Sequence, residues 1–175
     1  MPARYLLIDG YNVIYAHKPL AELAEQSLYA ARIKLCDTLV EYKAMCVYRI
    51  IVVFDAHLVA GGVGSDSDYV NIKVVFTKEA ETADHYIERA AYKLSRNPAK
   101  KDHITVATSD ILEQIIILGS NSARVSAEDL WRQIEMAKNN MRKNYIENRP
   151  IKKNPFEGFL DEKTAKILNE MRLLK

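Results

Sequence analysis

Residues 46–54, CVYRIIVVF, are almost continuously apolar and rich in β-branched side chains. The run is far shorter than the roughly 20 residues needed to span a membrane. It does not alternate, so it predicts a parallel strand covered on both faces. Residues 4–8, 72–76 and 103–108 repeat the pattern, and Arg124-Val125 predicts a short edge strand. A sheet buried on both sides needs helices above and below it, and the segments between the strands supply them.

A helical stripe runs over residues 20–43, with Leu28, Ala31, Leu35, Leu39 and Tyr42 inward and Glu22, Glu25, Arg32 and Lys34 solvated. A second helix starts at the cap Thr82 and continues through ADHYIERAAYKL. A third is capped by Ser109 and closed by Gly119, and a fourth starts at Ser126 with Asp129 three residues on. Residues 161–173 predict a last short helix. The order β-α-β-β-α-β-α-β-α calls for a mostly parallel α/β sheet in three layers. Residues 60–68, AGGVGSDSD, read as a glycine-rich loop. They lack the lysine and hydroxyl of a P-loop, and their aspartates repel phosphate, which argues against nucleotide cradling and any organic cofactor.

Charge divides the chain. From residue 138 onward there are 10 Lys/Arg and 5 Asp/Glu, against 15 and 18 before it. Residues 1–137 therefore read as one slightly acidic domain, and residues 138–175 as a basic extension packed on it or continuing it. Cys36 and Cys46 form no metal knuckle or disulfide framework and read as buried free thiols of a reducing compartment. No signal peptide or membrane span is evident, so a cytoplasmic protein is expected.

Several acids fall at the carboxyl ends of these strands, where open α/β sheets bind ligands. Asp9 ends the first strand, Asp55 follows the second, and Asp110 follows the strand at 103–108. Asp84 and Glu88 share a helix face. Each has an ordinary use, since Asp-Gly commonly makes a turn and acids favour first helical turns. If they converge, their mutual repulsion calls for a divalent cation, and oxygen ligands favour magnesium or manganese over zinc. An ion of that kind serves phosphodiester hydrolysis. His57 reads as a loop residue and His85 as pointing away from Asp84 on its helix.

The ordered set LLIDGYNVI, IVVFDAH, VVFTKEAETADHYIER, ITVATSD and VSAEDL resembles the YacP branch of the NYN-domain proteins, relatives of the PIN nucleases. The likeness runs from Arg4 to the NPFEGFLDE segment, and TADHYIER and ATSD are its most specific parts. It implies a PIN-like Rossmannoid fold and a magnesium- or manganese-dependent endoribonuclease. Asp9, Asp84 and Asp110 match its acidic metal-holding triad and Asn12 the asparagine beside it; Asp55 and Glu88 are secondary acids. The family includes a ribosome-associated enzyme that cleaves messenger RNA in the ribosomal A site, which makes mRNA and the ribosome the expected partners. The competing expectation is a ribosome- or RNA-binding module without turnover.

For RNA contacts the sequence offers Lys78 at the rim and Arg142, Lys143, Arg149, Lys152 and Lys153 in the basic arm. A solvated face explains such a run equally well. Thr108 or Ser109 can donate to phosphate. Tyr11 and Tyr15 are candidates for stacking on an unpaired base, and Tyr11 equally for packing beneath the loop.

Overall fold

The structure, a computed structural model, describes residues 2–55, 63–78, 81–96, 102–108, 123–147 and Lys166. Contacts divide the chain into two compact units, Met1–Met141 and Arg142–Lys175. The first unit carries a six-stranded sheet, built from β1 (Arg4–Asp9), β2 (Arg49–Phe54), β3 (Val63–Tyr69), β4 (Ile72–Lys78), β5 (His103–Ala107) and β6 (Ala123–Val125). The strand order is β3-β4-β2-β1-β5-β6, and all pairs are parallel except β3 with β4. The described helices are α1 (Gly10–Tyr15), α2 (Lys18–Gln26), α3 (Leu28–Met45), α4 (Ala83–Ser95) and α5 (Ala127–Glu147). This is the three-layer α/β arrangement of PIN-like Rossmannoid folds.

Strand alternation sorts the core into two layers. Leu6 and Ile8 of β1 and Val52 and Phe54 of β2 join α1, α2, α3 and the Leu130–Ile134 stretch of α5 on one face. Leu7, Val53, Val75 and Val106 point to the other face, where Ala83, Ile87 and Ala91 of α4 cover them. Full burial on both faces explains why β2 reads as a continuous apolar run.

Three local features differ from the sequence reading. Gly10 opens a helix rather than a sharp turn, and the long helix expected from residue 20 breaks at Ser27, whose hydroxyl accepts from the Ala30 amide and caps α3. Gly10 is required for space: a Cβ there would lie 2.2 Å from the ring of Phe54. Residues 63–69, expected to be loop, pair antiparallel with β4, and the Asp66 carboxylate meets Lys73 of that strand at 2.5 Å. Ladder hydrogen bonds to a neighbouring strand override a sequence without apolar periodicity. The hairpin turns at Val70, an exposed non-glycine residue with φ of 58°.

The expected caps are present. Thr82 accepts from the His85 amide to start α4; Ser126 accepts from the Asp129 amide and donates to the Asp129 carboxylate at the start of α5. Cys36 is buried and Cys46 half-buried, both as free thiols. The helix expected at residues 110–118 lies outside the described residues, as does the one expected at 161–173 except for Lys166, which is helical. No helix among the described residues is long and apolar enough to cross a membrane.

Candidate active site

The chain runs from β1 to β2 on one side and later places β5 on the other, so β1 and β5 flank the point where strand order reverses. Crevices at such points, beyond the carboxyl ends of the strands, are where open α/β sheets hold ligands. Asp9 is the last residue of β1, and Thr108 directly follows β5.

Asp9 is also the N-cap of α1. Its Oδ1 accepts from the Asn12 amide at 3.0 Å, and its Oδ2 accepts from Asn12 Nδ2 at 2.7 Å. The same Asn12 Nδ2 also donates to Thr108 Oγ1 at 3.4 Å. One side chain therefore ties together the ends of the two strands that border the crevice. The arrangement follows from local sequence: a cap at Asp9 puts residue 12 at the third helical position, within reach of the capping carboxylate.

The carboxylate is 6% exposed. Burial pushes its pKa above the usual carboxylate value, the two Asn12 hydrogen bonds oppose that rise, and the charge of Asp84 adds to it. Asp84 lies in the first turn of α4, beside the inward-facing Ala83. The structure thus joins Asp9, Asn12 and Thr108 by hydrogen bonds, with Asp84 near enough for its charge to act on Asp9.

The remaining sequence candidates divide. Asp55 follows β2 directly, is half-buried, and its charge raises the Tyr11 hydroxyl pKa, although burial is the larger cause. Glu88, one turn beyond Asp84, is exposed, as is Lys78 at the end of β4. Arg142 and Lys143 are exposed on α5. Asp110, Ser109, His57, Arg149, Lys152 and Lys153 lie outside the described residues. Tyr11 is 8% exposed, with its ring edge-on to Phe54 at 5.3 Å and its hydroxyl accepting from Arg32. A base has no open face of Tyr11 to stack on, so packing is its role. Thr108 Oγ1 accepts from Asn12, and its full burial keeps the hydroxyl from reaching a phosphate.

Thr77, 1% exposed at the end of β4, escaped the sequence reading. Its signal was a hydroxyl terminating the run VVFT. Arg32 also departs from expectation: its guanidinium sits over the Tyr29 and Phe76 rings instead of in solvent.

A family model described as "YacP-like NYN domain" matches residues 6–173. The chain belongs to the YacP-like NYN family. The curated "Uncharacterized protein YacP" of Bacillus subtilis (strain 168) is 45% identical over 130 residues, covering 74% of each chain. The crystal structure of Rae1 (YacP) from Bacillus subtilis aligns with a TM-score of 0.69 at 37% identity, over 96% of this chain and 94% of that one. A mutant of the same protein gives the same score and identity over 85% and 86%. The motifs read from the sequence as YacP-like include DGYN and TADHYIER, which carry Asp9 and Asp84.

Among the described residues no three His, Cys, Asp or Glu side chains gather closely enough to hold a metal ion. Asp9 and Asp84 supply two carboxylates, and Asp9 is buried with its negative charge disfavoured. This donor set, all oxygen and short of positive charge, fits a hard divalent cation better than a soft one.

Proposed function

We propose that the protein is a divalent-metal-dependent endoribonuclease that cleaves messenger RNA in association with the ribosome. The carrying observation is the buried Asp9 carboxylate, fixed by Asn12 at the strand-order switch, with the charge of Asp84 near enough to act on it. Membership of the YacP-like NYN family and the likeness to Rae1 support the reading.

In this proposal Asp9 and Asp84, together with Asp110, hold magnesium or manganese. The ion supplies an activated water and offsets charge developing on the phosphoryl group. Asn12 keeps both Asp9 oxygens in a fixed orientation. Asp55 and Glu88 act as secondary acids around that centre. Burial keeps the Asp9 charge poorly solvated, which strengthens its attraction for a cation. Lys78, Arg142, Lys143, Arg149, Lys152 and Lys153 hold RNA phosphates by charge.

The test is cleavage of RNA by purified protein with magnesium or manganese, with and without translating ribosomes. Asp9→Asn and Asp84→Asn are expected to lose cleavage at least about a hundredfold while keeping the fold. If both variants cut as the parent does, the metal assignment fails. Binding to ribosomes without any cleavage identifies a binding module instead.

A further inference from the structure

On the face of the sheet opposite α4, a pocket of about 300 Å³ opens between α3 and the β3–β4 hairpin. Its walls include the rings of Phe76, Tyr69 and Tyr29, with the fully buried Phe54 ring beneath Phe76, and among the described residues its cation is Arg32. Phe54 and Phe76 are register partners on adjacent strands, with stacked rings 5.5 Å apart. Tyr69 is held in place by donating its hydroxyl to Asp37 at 2.7 Å. Tyr29 stands at the mouth, 68% exposed. The Arg32 guanidinium lies 5.6 Å from the Phe76 ring centre and 5.9 Å from that of Tyr29. Among the described residues no carboxylate forms an ion pair with it.

The pocket is linked to the acidic rim. Arg32 Nη1 donates to the Tyr11 hydroxyl at 3.3 Å, and Tyr11 follows Asp9 by two residues on α1. Phe54 ends β2 immediately before Asp55. The pocket therefore reaches, at Phe54 and Phe76, the end of the sheet that carries Asp9, and extends along the face to Tyr69 beside Ile72.

We propose that this pocket is a subsite for one unpaired nucleobase of the RNA strand cut at Asp9. The inference rests on the endoribonuclease reading and adds a base-binding site to it. A base offers flat π faces to the aromatic walls and oxygen or nitrogen acceptors to Arg32. An aliphatic side chain of a protein partner would cover the rings and leave the guanidinium donors without acceptors. A free phosphate would match Arg32 but sacrifice its hydration against a lining that is otherwise mainly apolar, with Ser67 its small polar residue.

The experiment measures fluorescence anisotropy of a short single-stranded RNA with the Asp9→Asn full-length chain, which prevents cutting. The same RNA is scanned with one abasic nucleotide at each position in turn. One position is expected to lose affinity about tenfold when abasic. Adding Tyr29→Ala or Arg32→Gln is expected to weaken the intact RNA by a similar factor and to abolish that sensitivity. Tyr29 is exposed, so its variant is expected to melt like the parent. Absence of binding, absence of an abasic-sensitive position, or unchanged affinity in both variants overturns the subsite. Cleavage by the Asp9-containing chain is scored separately: cutting with no abasic-sensitive position preserves the nuclease and removes only the pocket.

Discussion

The indole nitrogen of Trp131 donates to the carbonyl oxygen of Val13 at 2.9 Å, joining α5 to α1 one residue beyond Asn12. Val13 belongs to a helix of six residues, whose last carbonyls need partners from outside it. Trp131→Phe keeps most of the packing and leaves that carbonyl buried without its donor. Stability is expected to fall by about 1–3 kcal/mol in urea unfolding. Cleavage is expected to fall with it under conditions where the variant is still folded, because α1 carries Asn12.

His17 stacks on the same indole, ring centres 4.1 Å apart, and burial lowers its pKa. A base whose folded pKa is lowered contributes stability above its unfolded value, about 6.5, and loses it as pH falls toward the folded value. The parent should therefore lose stability as pH drops below that point. His17→Gln should show a flatter profile in thermal melts across the same range.

Asp9 has the opposite sign. Its folded pKa is raised, so its contribution is fully present below about 3.8 and is lost as pH rises through the folded value. At neutral pH the ionised carboxylate opposes folding. Asp9→Asn keeps a capping side chain and removes the charge. Its melting temperature is expected to equal or exceed the parent's at pH 7, with the difference shrinking in acid. Manganese should raise the parent's melting temperature and not the variant's.

Asn12→Ala removes the side-chain amide from which Asp9 Oδ2 and Thr108 Oγ1 both accept. Loss of the side-chain support is expected to weaken the manganese response by about 10- to 100-fold in concentration, read as the shift of its midpoint. The Asp9 cap on the Asn12 backbone amide remains, so α1 should still form.

Gly10→Ala drives a methyl group into a fully buried ring. Overpacking of this kind costs about 1–3 kcal/mol, measurable as a lower unfolding midpoint at unchanged m-value. Val70 offers the reverse. Its left-handed backbone disfavours a β-branched side chain, and Val70→Asn is expected to gain about 1 kcal/mol in the same assay.

The layered fold was legible because both faces of its strands are buried: the runs at 49–54 and 103–108 can be little else, whereas residues 46–48, read as part of the same strand, precede β2 and expose Val47. Asp9 and Asp84 stand out as candidates through their motifs. Composition leaves open how near each other they lie, because that depends on how α4 docks over β1. The hairpin strand β3 was illegible, since Ser65, Asp66, Ser67 and Asp68 lack any apolar alternation and pair through their backbone. Arg32 was misread for a related reason. Its position on α3 resembles a solvated one until the hairpin folds over and sets rings beneath it.

The two borders of the sheet bear on how anything else can attach. One is β6, only three residues long; the other is β3, lined with serines and exposed aspartates. An incoming strand would find too short a ladder on the first and would have to crowd its backbone against carboxylates on the second. The sheet is thus closed to growth by strand addition. Recognition is left to the helices and to the ends of the strands, and at the carboxyl ends it meets the same crevice that holds Asp9.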